Sequence, residues 1–140
     1  MSTISPAPRF AKRLISAAGA AREHAYAPYS QFSVGAAVLA GGEVFPACNV
    51  ENASLGLTMC AERVAVFFAV AAGYRRIEAV AIVGDPSNPT APCGACRQVL
   101  HEFGPDMAVI LLSDGEPVAW SLASLLPLAF GPDDLTSAEP

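Results

Sequence analysis

The sequence predicts an α/β fold of three layers, a mixed sheet of about five strands covered by helices on both faces. Patterned segments follow one another in the order helix, strand, strand, helix, strand, helix, strand, strand, short helix. The inner strands, "IEAVAIVGD" and "AVILLSD", are apolar at nearly every position, and such strands need cover on both sides. A length of 140 residues suits one core, and no internal repeat, low-complexity tract or linker interrupts it, so residues 1–140 read as a single domain.

Residues 9–25, "RFAKRLISAAGAAREHA", place Phe10, Leu14, Ile15 and Ala18 at helical spacing with Lys12, Arg13 and Arg22 between them. Pro28 breaks that pattern, and "SVGAAVLA" and "GEVFPACNV" then flank Gly41-Gly42, the signature of a hairpin. The irregular "ENASLGLTM" leads into "CAERVAVFFAVAAGY", a helix apolar nearly all round and closed by Gly73. After the strand "IEAVAIVGD", the loop "PSNPTAP" carries three prolines into "CGACRQVLHEFG", a helix stopped by Gly104 and Pro105. "AVILLSD" and "GEPVAW" are two further strands, and Ser121 caps the short helix "SLASLLP".

The apolar fraction of 53% against only 15% charged residues exceeds what a small monomer needs and points to subunit interfaces. The most apolar run, "VAVFFAVAAG", is about half of the ~20 residues a membrane span requires, so no membrane partner is expected. "MSTISPAPRF" has no apolar stretch behind a basic start, which leaves the cytoplasm as the expected location. Eight Lys and Arg against 13 Asp and Glu give a net charge of -5, the wrong sign for tracking a phosphate backbone, so no nucleic-acid partner is expected. Four cysteines in a cytoplasmic chain read as thiols or metal ligands rather than disulfides.

Cys93 and Cys96, in "APCGACRQVLHEF", open a helix behind Pro92, which suits a helix entry because it lacks an N–H. At a helix's first turn both sulfurs lie on one face, near free backbone N–H groups and the positive end of the dipole, where thiolate is favoured. A metal site and a redox dithiol fit that placement equally, and two core thiols are the plain alternative. Cys60 also begins an apolar helix, with Glu62 two residues on. Two helix N-termini facing each other across the end of a sheet bring three thiolates together and leave a fourth position open, the mark of catalytic rather than structural zinc. Cys48 sits in the alternating strand "FPACNV", which favours a core role, and His24 and His101 lie in helical patterns remote from the motif. Glu62 is either a solvated carboxylate meeting the helix dipole or a partly desolvated one with a raised pKa, suited to moving a proton beside a metal-bound water.

Cys-Ala-Glu at 60–62 followed by Pro-Cys-x-x-Cys at 92–96 resembles the zinc-dependent cytidine deaminases, specifically their small homotetrameric kind. The resemblance runs through "AYAPYSQFSVGAAVL", "CNVENAS", "CAERVAVF", "PCGACRQVL" and "LLPLAF", in order, over nearly the whole chain. It implies one Zn2+ per chain on Cys60, Cys93 and Cys96, and hydrolytic deamination of cytidine and 2'-deoxycytidine to uridine and 2'-deoxyuridine with release of ammonia, a step of pyrimidine salvage. In that reaction zinc-bound hydroxide attacks C4 of the base while Glu62 shuttles its proton to N3 and then to the amino group. Three thiolates leave the zinc shell negative, so Arg63 and Arg97, each beside a motif residue, are expected to donate hydrogen bonds to cysteine sulfurs, as the family equivalent of Arg63 does.

The resemblance also implies that the Ala61 N–H meets the base O2, that Asn49 and Glu51 take the ribose 3'-hydroxyl, with Ala53 among the substrate contacts, and that Phe32 and Phe130 wall the base. In the family that last phenylalanine comes from a neighbouring subunit, so the implied partner is a further copy of the chain, in a tetramer with shared sites. Leu55 departs from the pattern: it stands where the family has a tyrosine whose hydroxyl reaches the sugar of a neighbouring subunit's site. Losing that hydrogen bond, ~0.5–1.5 kcal/mol, is expected to weaken discrimination among sugars. Leu55 also keeps open a deaminase of a modified aminopyrimidine nucleoside, of the blasticidin type or N4-substituted. A non-catalytic zinc module and a redox dithiol are rivals of other classes, and both leave Glu62 without work.

Overall fold

Alternation within the strands divides the core in two. In the computed structural model, which describes residues 3–136, the elements are β1 (Thr3–Ile4), α1 (Ala11–Arg22), β2 (Gly35–Ala40), β3 (Glu43–Cys48), a 3-10 turn (Leu55–Leu57), α2 (Ala61–Ala71), β4 (Ala79–Val83), α3 (Gly94–Phe103), β5 (Ala108–Ser113), β6 (Glu116–Ser121), α4 (Leu122–Leu125) and α5 (Pro132–Thr136). Ala36, Val38, Val80, Ile82, Val109 and Leu111 point to one face and pack with α2, α3 and α4, while Ala37, Leu39, Ala79, Ala81 and Ile110 point to the other and pack under α1. The expected three layers are therefore present, with a mixed sheet in the order β1-β6-β5-β4-β2-β3.

The sheet has six strands rather than about five, because Thr3 and Ile4 pair antiparallel with Trp120 and Ala119. Two residues carry no readable period, which hid this strand, and the five residues of α5 in the tail span too little of a helical period to show one. Both β2–β3 and β5–β6 are hairpins with left-handed turn residues, Gly41 and Gly42 at φ 57° and 78°, Asp114 and Gly115 at φ 49° and 78°. Gly73, at φ 102°, ends α2 as expected, with the Tyr74 N–H reaching Ala69 O at 3.1 Å and the Gly73 N–H reaching Val70 O at 3.0 Å.

Topology then places the site. Strands β3 and β4 both run antiparallel to β2, and β4 pairs parallel with β5 across the α3 crossover. The carboxyl ends of β3 and β4 therefore share one edge of the sheet, and the chain leaves each toward the N-terminus of a helix, α2 or α3. Crevices at that edge are where α/β sheets place ligands.

Candidate active site

Cys60 and Cys93 are the residues that immediately precede α2 and α3, both in extended conformation, and neither side chain caps its helix. Their sulfurs are 3.9 Å apart, and those of Cys60, Cys93 and Cys96 all lie within 4.8 Å of one another. Thiolates at ~2.3 Å from one tetrahedral zinc stand about 3.8 Å apart, so the Cys60–Cys93 pair already has that spacing and Cys96 lies within about an ångström of it. Cys96 is buried, Cys60 half-buried and Cys93 exposed, so the cluster opens toward solvent on one side. Burial and then the Glu62 and Cys60 charges push the Cys96 thiol up; at Cys93 burial is outweighed by hydrogen bonds from the Cys96 N–H and from both neighbouring thiols, which bring it down. Cys48 stands apart from the triad, on β3 beside Ala20 and His24.

Arg63 stands three residues beyond Cys60, on the same helix face, and its Nη2 donates to Cys60 Sγ at 3.4 Å. The Cys60 sulfur first, and Cys96 besides, hold its ionisation above the ordinary value against the opposing effect of burial. Arg97 does not do what its position beside Cys96 suggests. Its Nε donates to Pro92 O at 2.8 Å and its Nη1 to Leu125 O at 2.7 Å, so it ties the entry of α3 to the end of α4. One step along a helix turns a side chain by about 100°, which carries Arg97 off the sulfur face.

Glu62 is 4% exposed, and the Cys96 thiol donates to its Oε2 at 3.7 Å. Burial pushes its carboxyl up, against the lowering effects of its own backbone N–H, Cys96 and Arg63. It lines a cavity of about 280 Å³ together with Cys60, Cys93, Ala61, Phe32, Asn49 and Glu51. Ala61 is the first residue of α2, where a helix leaves its N–H without an intrahelical acceptor.

The opposite wall is a polar clamp. Glu51 Oε1 accepts from the Tyr29 N–H at 2.9 Å and the Ser30 N–H at 3.1 Å, and its Oε2 accepts from the Ser30 hydroxyl. The Ser30 hydroxyl first, then the two N–H groups, hold the Glu51 carboxyl below its ordinary range. Asn49 Oδ1 accepts from the Val34 N–H at 2.8 Å and its Nδ2 donates to Phe32 O at 2.9 Å. One cavity thus holds two carboxylates whose environments drive their pKa values apart, the arrangement that separates a proton carrier from a fixed anion.

Three expected contacts lie outside this cavity. Ala53 and Leu55 are exposed, the latter 68%, in the irregular stretch before α2. Phe130 is 58% exposed, its carbonyl accepting from Gln98 Nε2 at 2.8 Å. Ser30, Thr58 and Thr90 line the cavity without having been singled out. Small hydroxyl residues in loops carry no periodic signal; only the hydroxyl of Ser30, inside the quoted block "AYAPYSQF", had a motif around it.

A thiol triad with a buried carboxylate at the strand ends of a mixed sheet defines a metal-dependent deaminase site, and the chain belongs to the family described as "Cytidine and deoxycytidylate deaminase zinc-binding region", whose model matches residues 8–112. Among the relatives, a cytidine deaminase of Sporosarcina psychrophila is 45% identical over 91% of this chain and 96% of its own. One of Halalkalibacterium halodurans is 47% identical over 87% of this chain and 95% of its own. The crystal structure of a cytidine deaminase from Burkholderia pseudomallei is similar with a TM-score of 0.80 and 56% identity, over 85% of this chain and 98% of that one.

Proposed function

We propose that this chain is a zinc-dependent cytidine deaminase that converts cytidine and 2'-deoxycytidine, by addition of water and loss of ammonia, to uridine and 2'-deoxyuridine. The observation that carries the reading is the position of Glu62, a buried carboxylate touching the thiol triad at one end of a cavity whose other end is the Asn49–Glu51 clamp. Relatives at 45% and 47% identity that are cytidine deaminases favour the ordinary nucleoside over a modified aminopyrimidine.

Zinc is the cofactor, one ion per chain, on Cys60, Cys93 and Cys96. When bound it supplies an activated water at neutral pH. Glu62, with its carboxyl pushed up by burial, carries the two protons of the added water in turn, one to the base N3, where it stays in the product, and one to the departing amino group, which leaves as ammonia. Arg63 offsets the negative charge of the thiolates through Cys60 Sγ. The unpaired N–H of Ala61 orients the base through its O2, and Phe32 forms one wall.

At the sugar end, a carboxylate offers about four acceptor sites, and Glu51 has filled three. The remaining acceptor and the second Nδ2 hydrogen of Asn49 together match a hydroxyl, which both donates and accepts. Phe130 and the exposed Phe67 and Phe68 support assembly with further copies of the chain, a tetramer in which Phe130 completes a neighbour's site. Ala53 and Leu55 belong to that shared edge, and the whole chain of 140 residues acts as one catalytic domain. We place it in the cytoplasm, where its four free thiols stay reduced, serving pyrimidine salvage; among the described residues no helix is long and apolar enough to cross a membrane.

The test is ammonia release from cytidine and 2'-deoxycytidine by zinc-loaded protein beside Glu62→Gln of equal zinc content. Turnover by the native chain with a loss of at least ~10²-fold in the variant is the expected result. Full zinc occupancy without turnover on either nucleoside would return the chain to the modified-nucleoside or non-catalytic readings.

A further inference from the structure

The loop from Ala27 to Ser33 is held in an uncommon shape. Gln31 has φ 57°, the left-handed region that a residue with a side chain enters at a cost, and its N–H bonds Ala27 O at 3.0 Å. Such a conformation persists only where its surroundings over-determine it. Here they do: Glu51 takes both N–H groups ahead of the strained residue, Asn49 holds the carbonyl of Phe32 behind it, and the Phe32 N–H donates to Ser30 Oγ at 3.0 Å. Gly84 supplies the space, since a Cβ there would sit 3.0 Å from Phe32 Cζ.

Ser30 is the residue on which these bonds converge. It contributes an N–H to Glu51 Oε1, a hydroxyl hydrogen to Glu51 Oε2, and a hydroxyl oxygen to the Phe32 N–H. The two backbone bonds fix Oε1 whatever the side chain at 30. The Ser30 hydroxyl alone fixes the rotation of the carboxylate that decides where the last acceptor site of Oε2 points. The Phe32 N–H in turn fixes the hydroxyl rotor, because an oxygen that accepts from Phe32 must aim its own hydrogen away, at Glu51.

We propose that Ser30 is a positioning residue for sugar recognition: through its paired hydrogen bonds it aims the one open acceptor of Glu51 at a substrate hydroxyl. This rests on the nucleoside deaminase reading above. A residue that merely tied down the loop would affect all substrates alike, whereas one that works through the Glu51 acceptor matters only when the substrate has a hydroxyl to give it.

The experiment compares Ser30→Ala with the native enzyme, both zinc-loaded, on cytidine and on 2',3'-dideoxycytidine, which lacks the sugar-ring hydroxyls. For cytidine the expected result is a rise in KM of about tenfold, the order lost with a charge-assisted hydrogen bond, with kcat and zinc content unchanged. For the dideoxynucleoside kcat/KM stays at the native value within about twofold, since that substrate makes no bond to lose. Ser30→Thr, which keeps the hydroxyl, restores the cytidine KM. Should Ser30→Ala not fold, Ser30→Cys, of similar shape but a weaker donor, is read in the same way. An equal loss on both nucleosides, or none on cytidine, overturns the proposal while leaving the deaminase reading intact. A native enzyme that turns over neither nucleoside removes both.

Discussion

Glu51 and Glu62 share a cavity yet have opposite electrostatic circumstances, and acid titration separates them. Glu51 is held ionised by Ser30 and Tyr29, so its folded pKa lies below the ordinary 4.5. Between those two values the unfolded chain binds the proton that the folded one refuses, and stability therefore rises with pH across that window. The contribution is complete above the ordinary value and is lost as pH falls through the folded one. Glu51→Gln is accordingly expected to melt below the native chain at pH 7, with the deficit narrowing as the pH drops below about 4.5. Thermal scans of both proteins after chelation, which takes metal loss out of the comparison, read this directly. A deficit independent of pH would mean that the amide cannot replace the carboxylate for reasons of shape rather than charge.

At the scale of elements, α1 lies on the sheet at a distance set by one absent side chain. A Cβ added to Gly35 would collide with Ala18 O and sit 2.7 Å from Arg22 N, both backbone atoms of α1 or its last turn, which cannot rotate aside. Several of the facing strand residues are small as well, Ala37, Ala79, Ala81 and Ala108, beside the larger Leu39 and Ile110. Gly35→Ala is expected to destabilise the fold by about 1–3 kcal/mol as the helix is pushed off, seen as a drop of several degrees in Tm. An unchanged Tm would show that the sheet end yields instead. These elements were largely legible in the sequence because their periods are long enough to read: α1, α2, α3 and the five longer strands, β2 to β6, all appear where expected. The triad was legible for a related reason, since Cys93 and Cys96 are fixed relative to each other by one helical turn. Arg97 was misread because adjacency in sequence says nothing about direction around a helix, and Ser30 was missed because its partner is 21 residues away, joined only by folding.

At the scale of the whole molecule, the surplus of apolar residues seen in the composition reappears as large side chains at the surface. Phe67 and Phe68 are about half-exposed on α2, Leu55 and Leu57 more so, and Leu128, at φ 51°, is fully exposed two residues before Phe130. Phe130 is held by Gln98 on the rim of α3 yet lies outside the cavity, where one aromatic wall, Phe32, is already in place. If Phe130 completes a neighbour's site, two inactive chains repair each other. Glu62→Gln keeps Phe130 but lacks the proton carrier, and Phe130→Ala keeps Glu62 but lacks the wall. In mixed oligomers some sites combine the intact Glu62 of one chain with the intact Phe130 of the other. Co-expressed variants, purified through different tags in succession and assayed at low cytidine concentration, are expected to exceed the sum of the two separate variants. Activity no greater than that sum would place Phe130 in its own chain's site or outside the reaction, and would leave the exposed apolar side chains to explain an assembly in which each site works alone.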